Sequence, residues 1–188
     1  RKMAGDGVLP DVIPFAGNGE PTASPAFPEA IRGAVRLRDE LAPSAKIAVL
    51  SNGTRATVPE VHDALMLLDD NILKLDTVDA DYIALLDRPV GAYDVERQVE
   101  AFASFGGHVI VQTIFLTGSV DGVSVDNTGE KYVGPWLEAL RRIGPEAVTI
   151  YTVARETPVA GLSKAAPEVL DAIAERVRAL GIRCTVSY

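Results

Sequence analysis

Cysteine is almost absent from this chain of 188 residues, which contains Cys184 and no other cysteine. A single cysteine excludes an internal disulfide, and it excludes any metal or cluster site built from several cysteines of this sequence. Because Cys184 lies in the last predicted strand, we interpret it as a small residue packed in the apolar interior.

Basic residues and long apolar runs are also scarce. The 18 basic residues stand against 26 acidic residues, so the formal net charge is -8 and the chain as a whole repels phosphate backbones. No apolar run approaches the roughly 18 residues that a membrane span requires, and no signal-peptide pattern opens the chain. We therefore expect a cytoplasmic protein with no membrane partner, and the charge argues against nucleic acid as a partner.

A regular alternation of apolar, strand-like segments with amphipathic, helix-like segments runs through the chain, and its length predicts one domain over residues 1–188. Apolar residues make up 47% of the sequence and aromatic residues 6%, which is typical of an α/β protein. The alternation predicts right-handed βαβ units and a parallel sheet with helices outside it. The predicted strands are residues 11–16, 46–50, 72–76, 108–116, 147–153 and 182–188. The predicted helices are residues 24–41, 59–68, 80–86, 95–105, 133–143 and 167–180.

Polar residues and glycines follow several of these strands. Residues 15–22 read Phe-Ala-Gly-Asn-Gly-Glu-Pro-Thr after the first strand, and residues 51–54 read Ser-Asn-Gly-Thr after the second. In the third strand the period of two places Lys74 and Asp76 on one face. Glycine lets the backbone approach a ligand closely, and Glu20 is expected to remain an acceptor for a cationic group. Because ligands bind at the carboxyl ends of parallel strands, this pattern predicts a binding site there.

In this order the motifs resemble those of the radical S-adenosylmethionine (SAM) superfamily, specifically a branch similar to wyosine-type synthetases and related iron-sulfur oxidoreductases. The five matching segments are residues 15–22, 51–54, 74–76, 111–115 with Gly118, and 150–155. The resemblance implies a partial (β/α)6 TIM-like barrel that binds SAM at the C-terminal mouth of its strands. It also implies a radical SAM enzyme, which reductively cleaves SAM to a 5′-deoxyadenosyl radical.

The resemblance further implies which residues hold SAM, although it identifies no catalytic side chain. The methionine amino group is expected at Gly17, Asn18, Gly19 and Glu20. The methionine carboxylate, the ribose or the substrate is expected at Ser51, Asn52, Lys74, Asp76 and Gln112. The adenine is expected beside the backbone from Tyr151 to Val153.

In that family a Cys-x3-Cys-x2-Cys loop after the first strand binds a 4Fe-4S cluster, which supplies the electron for SAM cleavage. This sequence contains neither that loop nor that strand, so we expect the cluster cysteines upstream of Arg1 and no metal ligand in this chain. Without the missing strand, residues 11–16 would form an uncovered apolar edge. The resemblance also implies an electron donor such as flavodoxin or ferredoxin, and it implies that this chain alone is inactive.

Two other functions are left open by the sequence. One is a degenerate barrel that binds SAM or another nucleotide without catalysis, which upstream cysteines with the family spacing would exclude. The other is a class I aldolase-like lyase in which Lys74 forms a Schiff base, since a desolvated lysine in a barrel strand has a lowered pKa. The substrate is not identified: a small molecule, a protein glycyl site and, despite the acidic charge, RNA all stay open.

Several remaining residues have structural interpretations. Five residues are expected to pack in the core, to lie at the surface or to stabilise a helix end: His62, His108, Trp136, Arg141 and Arg142. Three arginines each follow a predicted strand or break, namely Arg55, Arg88 and Arg155. One of them could hold an anionic substrate group. The acidic, glycine-rich segment 119–131 is expected to be a long loop, either a lid or merely flexible.

Overall fold

The computed structural model describes Gly7, residues 9–153 and residues 161–188. Strands and helices alternate along these residues as the sequence predicts, and the chain divides into two compact units, Arg1–Leu73 and Lys74–Tyr188. No helix of the described ranges is both long enough and apolar enough to cross a membrane.

The first unit is built from parallel strands and two helices. Its strands are β1 (Val12–Phe15), β2 (Lys46–Ser51) and β3 (Asp70–Lys74), the last residue of which opens the second unit. Its helices are α1 (Phe27–Leu41) and α2 (Pro59–Leu65). β1 pairs with β2, and β2 pairs with β3, both in parallel. The apolar core of this unit includes the fully buried side chains of Ile31, Ile47, Ala64 and Leu65.

The sequence predicts an N-cap at Ser24 and a first helical residue at Pro25, whereas helix α1 begins two residues later. Pro21–Ala23 form a 3-10 turn instead, which Ser24 closes by donating its backbone N–H to the Pro21 carbonyl oxygen. The N–H of Phe27 then donates to the Ser24 carbonyl oxygen at 3.0 Å. The helix therefore starts at Phe27, with Ala26 rather than Ser24 at its N-cap.

The second unit contains the remaining elements. Its helices are α3 (Ala80–Leu86), α4 (Val95–Ala103), α5 (Glu130–Ile143) and α6 (Pro167–Arg178). Its strands are β4 (Ile110–Ile114), β5 (Leu116–Val120), β6 (Val123–Ser124), β7 (Ala147–Tyr151), β8 (Leu162–Lys164) and β9 (Arg183–Ser187). β4, β7 and β9 pair in parallel, whereas β5 pairs antiparallel with both β6 and β8.

Six strands contribute to one sheet, in the order β1-β2-β3-β4-β7-β9, and a second sheet has the order β6-β5-β8. The mostly parallel six-stranded sheet with its helices confirms the predicted α/β class and its likeness to a partial TIM-like barrel. Among the described strands no pairing that would close a barrel is detected. Val12 of strand β1 is 43% exposed.

Strands β4 and β7 each have one fully buried face and one partly accessible face. The side chains of the buried face, each 0% exposed, are Val111, Thr113, Val148 and Ile150. The half-buried side chains of the other face are Gln112, Ile114, Thr149 and Tyr151. Since Gln112 lies opposite Thr149, and Ile114 opposite Tyr151, the accessible face carries polar side chains from both strands.

Two predictions were wrong in part, that of a strand over residues 108–116 and that of a loop over residues 119–131. The strand is interrupted at Phe115, so that β4 continues the parallel sheet and β5 joins the antiparallel one. Asp121 and Gly122 form a tight turn between β5 and β6 with positive φ angles of 51° and 79°. Asp-Gly between two strands is a strong hairpin signal, which the acidic composition of the segment obscured.

Two glycines allow β5 and β8 to approach each other closely. A Cβ on Gly118 would lie 2.0 Å from the Gly161 carbonyl oxygen, and a Cβ on Gly161 would lie 2.3 Å from the Ser119 carbonyl oxygen. Both glycines also have positive φ angles, 113° and 92°. No side chain fits at either position, so the glycines are required by this strand pairing.

Candidate functional site

The Glu20 carboxylate fixes the turn that follows β1. Its Oε1 accepts hydrogen bonds from the Thr22 N–H at 2.9 Å, the Thr22 hydroxyl at 2.5 Å and the Ser51 hydroxyl at 2.7 Å. Its Oε2 accepts one from the Asn52 backbone N–H at 2.8 Å. Within the first unit, Glu20 therefore ties the turn after β1 to the turn after β2.

The sequence predicts that Glu20 remains an acceptor for a cationic group, and this bonding limits how much of the carboxylate is available for that role. A carboxylate has roughly four lone-pair positions, and four donors already converge on Glu20. Only Oε2, with a single donor, retains an accepting direction for a ligand. Glu20 is thus first of all a structural acceptor that also caps the 3-10 turn.

Gly17 and Gly19 flank Asn18 in the exposed part of the same turn. Neither glycine has a positive φ, and a Cβ built on either would meet no atom within 4 Å. The conformation and packing of the described chain therefore do not require glycine at these positions. What the glycines provide is an unobstructed backbone at the carboxyl end of a parallel strand, open to direct contact with a ligand.

The turn after β2 holds itself together with its own side chains. Ser51 is 2% exposed, and its hydroxyl accepts the Gly53 N–H at 3.0 Å while it donates to Glu20. Asn52 Oδ1 accepts the N–H and the hydroxyl of Thr54 at 3.0 and 2.8 Å. Gly53 has a φ of 69°, which explains the glycine here. Ser51 and Asn52 therefore position Glu20 and shape the turn.

In the second unit, Lys74 and Asp76 form an ion pair at the end of β3. Their shared face was predicted, and the Lys74 Nζ lies 2.9 Å from Asp76 Oδ2. The other oxygen, Oδ1, accepts the Ile114 N–H at 2.9 Å. The Asp76 side chain is 5% exposed and the Lys74 side chain 34% exposed, so the carboxylate is fixed while the ammonium keeps access to water.

The charge of Lys74 is stabilised by its surroundings. Burial lowers the pKa of Lys74, but the neighbouring Asp76 and Tyr151 outweigh this effect and hold the pKa above its ordinary value of 10.5. A Schiff-base lysine needs the opposite shift, because only its neutral amine is nucleophilic. The geometry therefore disfavours the aldolase alternative that the sequence left open.

Tyr151 belongs to the same electrostatic group, since burial raises the pKa of its hydroxyl while the charge of Lys74 opposes that rise. Gln112 lies on the same half-buried sheet face as Tyr151, and its side-chain amide makes no hydrogen bond within the described ranges. Val153 does not join this group. It packs instead against an apolar cluster formed by Tyr82, Leu116, Val120 and Val125.

Asn127, which the sequence did not indicate, holds the junction between β4 and β5 together. It is 0% exposed, and its Oδ1 accepts the Leu116 N–H at 2.9 Å. Its Nδ2 donates to the carbonyl oxygens of Ile114 at 2.8 Å and Asp76 at 3.4 Å. Asn127 thereby supports the backbone that carries Asp76. In the sequence it looked like one more polar residue of an acidic loop.

Asp87 and Tyr93, on the segment between α3 and α4, were also missed. Asp87 is exposed as a residue, yet burial of its carboxyl group and the charge of Asp76 raise its pKa to about 6, while Lys74 opposes the shift. Burial and the charge of Asp87 raise the pKa of the Tyr93 hydroxyl. Both residues thus share an electrostatic environment with the ion pair at the end of β3.

The residues present do not fit an iron-sulfur cluster. Cys184 is 8% exposed, and burial raises the pKa of its thiol to about 11, which disfavours the thiolate that a metal requires. Among the described residues no three His, Cys, Asp or Glu side chains are grouped as metal ligands. The interpretation of Cys184 as a packed residue is confirmed.

The other singled-out residues lie in the core or at the surface. Trp136 is 1% exposed, as predicted, and its Nε1 donates to the Leu75 carbonyl oxygen at 3.1 Å. The arginines at the end of α5 form exposed ion pairs, Arg141 with Glu138 and Arg142 with Glu96. Of the arginines considered for an anionic group, Arg55 and Arg88 are exposed and Arg155 lies outside the described residues.

A comparison with known sequences finds one curated relative, and no family model matches the chain. The UPF0026 protein slr1464 of Synechocystis sp. (strain ATCC 27184 / PCC 6803 / Kazusa) is 29% identical over 153 residues, 79% of this chain and 52% of that protein. The chain therefore spans about half the length of this relative.

Several solved structures share the fold. A domain of pyruvate-formate lyase-activating enzyme from Bacteroides vulgatus ATCC 8482 has a TM-score of 0.67 at 16% identity, covering 94% of this chain and 98% of that one. A radical SAM methyltransferase from Sphaerobacter thermophilus has a TM-score of 0.68 at 20% identity, covering 100% and 53%. Streptococcus suis SuiB bound to S-adenosylmethionine has a TM-score of 0.67 at 12% identity, covering 100% and 41%. At these identities the likeness is one of fold, and it confirms the fold that the sequence resemblance implies, which this chain shares with the three radical SAM structures.

Proposed function

We propose that residues 1–188 are a partial core domain of a radical SAM enzyme, which reductively cleaves SAM and acts on a substrate still to be identified. The observation that carries the proposal is the unobstructed Gly17–Asn18–Gly19 backbone at the carboxyl end of β1. The fold supports it, because structures with the same fold include SuiB in complex with SAM. Ligands of parallel α/β folds bind at the carboxyl ends of their strands.

The turn after β1 suits the methionine end of SAM. Its exposed peptide groups at Gly17, Asn18 and Gly19 offer carbonyl oxygens to the methionine ammonium, and Glu20 Oε2 has room for one more hydrogen bond. In this proposal Ser51 and Asn52 act through Glu20, since both donate to its carboxylate. Their task is to orient the turn before the ligand arrives.

The polar group of the second unit suits an anionic or hydroxylated partner. Lys74 offers a permanent positive charge that is one-third exposed, and Asp76 fixes its position. Gln112 and Tyr151 add an amide and a hydroxyl from the accessible sheet face. We assign Lys74, Asp76 and Gln112 to the methionine carboxylate, the ribose or the substrate. The backbone from Tyr151 to Val153 is assigned to the adenine.

If bound here and cleaved by one electron into methionine and a 5′-deoxyadenosyl radical, SAM would supply the chemistry of hydrogen-atom abstraction from a substrate. The 4Fe-4S cluster that the family uses does not fit the residues present, so we assign its cysteines to polypeptide outside this sequence. We propose flavodoxin or ferredoxin as the electron donor and the cytoplasm as the compartment. The contribution of this chain is to bind and orient SAM and the substrate.

The test is anaerobic reconstitution, with iron and sulfide, of a longer protein that contains this chain. We expect 5′-deoxyadenosine to form only when both SAM and a reductant are present. Replacing the cluster cysteines by alanine should abolish the product without abolishing SAM binding. A reconstituted protein that carries a cluster but neither binds nor cleaves SAM would contradict the proposal.

A second candidate is a domain that binds SAM or a related nucleotide without catalysis. The observation that favours it is the single, buried Cys184, together with the absence of a grouped set of metal ligands in the described ranges. The same experiment separates the two candidates. SAM binding by the longer protein without cluster assembly and without 5′-deoxyadenosine would support the non-catalytic domain.

A further inference from the structure

Within the second unit, the hydrogen-bond ladder beside β4 is interrupted at the ion pair. Leu75, directly after β3, donates its N–H to the Gln112 carbonyl oxygen at 3.0 Å. In a parallel ladder the next bond would run from the Ile114 N–H back to the Leu75 carbonyl oxygen. The Ile114 N–H donates instead to Asp76 Oδ1 at 2.9 Å. The Asp76 carboxylate thus takes the place of a backbone acceptor.

Buried side chains satisfy the carbonyl oxygens at this interruption. The Leu75 carbonyl oxygen accepts the Thr113 hydroxyl at 2.9 Å and Trp136 Nε1 at 3.1 Å. The Asp76 carbonyl oxygen accepts Asn127 Nδ2 at 3.4 Å. Each of the three donor residues is at most 1% exposed, and a buried carbonyl oxygen without a donor is costly. The side chains therefore stand in for the backbone bond that the ladder lacks.

Asn127 differs from the other two donors because it contacts both sides of the interruption. Its Nδ2 also donates to the Ile114 carbonyl oxygen at 2.8 Å, and its Oδ1 accepts the Leu116 N–H at 2.9 Å. One amide thereby holds the backbone of Asp76 beside the backbone of Ile114. This is the residue whose N–H the Asp76 carboxylate accepts, so the amide sets where that carboxylate lies.

The same contacts determine where the Lys74 ammonium lies. Asp76 Oδ2 is 2.9 Å from Lys74 Nζ, while Oδ1 is held by the Ile114 N–H. The Asp76 side chain is 5% exposed and the Lys74 side chain 34% exposed. A lysine side chain is long and flexible, so the position of its ammonium depends on the group that pairs with it.

We propose that Asn127 is a positioning residue, which holds the Asp76 carboxylate against Ile114 and so fixes the Lys74 ammonium in the place where it meets a bound ligand. The inference deepens the proposed function and rests on it for the ligand, which is SAM. A residue that only stabilised the fold would leave the ammonium where it is. The two roles therefore differ in what happens to Lys74 when the amide is removed.

The first test observes the Lys74 ammonium by ¹H–¹⁵N NMR at pH 6, in the longer protein without ligand. Protection from proton exchange reports how firmly the ammonium is held, and Lys74→Met identifies the signal by removing it. We expect the wild type to show the signal and Asn127→Ala to lose it. Asn127→Ser, which leaves space for a water molecule, is the milder substitution if Asn127→Ala does not fold, and it should lose the signal too.

Tyr82→Phe is the matched control for this test. Tyr82 is 3% exposed, and its hydroxyl donates to the Val125 carbonyl oxygen at 2.9 Å, two residues before Asn127. The variant therefore removes a buried hydrogen bond from the same segment without touching the backbone of Asp76. We expect it to keep the Lys74 signal. A signal that is missing in the wild type, or retained in both Asn127 variants, would overturn the proposal.

The second test measures SAM affinity by calorimetry for the wild type, Lys74→Met, Asn127→Ala and the double variant. We expect each single variant to bind SAM at least about tenfold more weakly, which corresponds to one lost hydrogen bond to a charged group. The double variant should bind no more weakly than Lys74→Met, because the amide acts through the ammonium. Two independent losses that multiply in the double variant would refute the positioning role.

Failure of the proposed function has a different signature. A wild-type protein that does not bind SAM, yet shows a Lys74 signal that only the Asn127 variants lose, would refute the ligand and support the positioning of the ammonium. A protein that binds SAM equally well with Asn127→Ala as without it would refute the positioning role and leave the proposed function intact.

Discussion

Breaking the ion pair between Lys74 and Asp76 should destabilise the protein far more than breaking an ordinary surface pair. The Asp76 side chain is 5% exposed, and its two oxygens are held by Lys74 and by the Ile114 N–H. Losing one partner of a buried pair costs about 3–5 kcal/mol, because the other charge is left unpaired. Since the Lys74 side chain is 34% exposed and can be hydrated, we expect Asp76→Asn to cost about 2 kcal/mol.

Replacing the lysine of this pair instead of the aspartate should cost more stability. Lys74→Met leaves the Asp76 carboxylate with only the Ile114 N–H and with the charge of Asp87 nearby, so we expect a loss of about 3 kcal/mol. The double variant removes both charges, and an asparagine oxygen can still accept the Ile114 N–H. Its cost should be about 3 kcal/mol, which gives a coupling free energy of about 2 kcal/mol between the two side chains.

The assay is urea unfolding at pH 7 for the wild type, both single variants and the double variant, followed by circular dichroism. The exposed pair of Glu130 and Arg176, at 2.7 Å, provides a matched control, for which Glu130→Gln and Arg176→Met should couple more weakly than Lys74 and Asp76. A coupling below about 0.5 kcal/mol for Lys74 and Asp76 would refute the reasoning, because this is the range of solvated pairs.

The same pair predicts the direction of a pH effect on stability. The pKa of Lys74 is raised in the folded protein above its ordinary value of 10.5. Its stabilising contribution is therefore complete below about pH 10.5 and is lost as the pH rises through the folded pKa. The alkaline loss of stability should be smaller in Lys74→Met than in the wild type.

Three further predictions follow from individual residues. The double variant Gly17→Ala, Gly19→Ala should keep the free energy of unfolding within about 1 kcal/mol of wild type, but it should weaken SAM binding measured by calorimetry. The control Gly53→Ala should destabilise the protein by about 1 kcal/mol, because the φ of Gly53 is 69°. Unchanged SAM affinity in the double variant would contradict the role of the open backbone. Asn127→Ala should lower the free energy of unfolding in urea by about 2–4 kcal/mol, because it removes the side-chain partner of the Leu116 N–H and of the Ile114 and Asp76 carbonyl oxygens. A loss below about 1 kcal/mol would show that water replaces the amide. Borohydride with a carbonyl substrate should leave no adduct on Lys74 by mass spectrometry, because its pKa is raised; an adduct would restore the aldolase alternative.

The fold was predictable because its signals are local. Apolar runs of strand length alternate with amphipathic helices, and this order selects parallel pairing whatever the details of the core. The limits of α3, at Ala80 and Leu86, agree with the prediction to the residue. The helix boundaries that were predicted wrongly depend on competition between neighbouring turns. Ser24, for example, ends a 3-10 turn and so does not cap α1.

The site was predictable where sequence neighbours share a face. Lys74 and Asp76 are two residues apart in an extended segment, so their pairing follows from strand geometry. The bonding of Glu20 was not predictable, because its partner Ser51 lies 31 residues away. Only the packed turns reveal that the donors around Glu20 are already provided by the chain.

The sequence by itself determined the α/β alternation, the polar ends of the strands and the lack of thiolate ligands, because each depends on local periodicity or on composition. Only the tertiary structure decided which of those polar side chains already have hydrogen-bond partners within the chain. It buried Asn127 at the junction of β4 and β5, and it brought Asp87 within the electrostatic reach of Asp76 and Lys74. The physical reason is that burial and long-range hydrogen bonding set the charge and the availability of a side chain, and neither is written in its immediate neighbours.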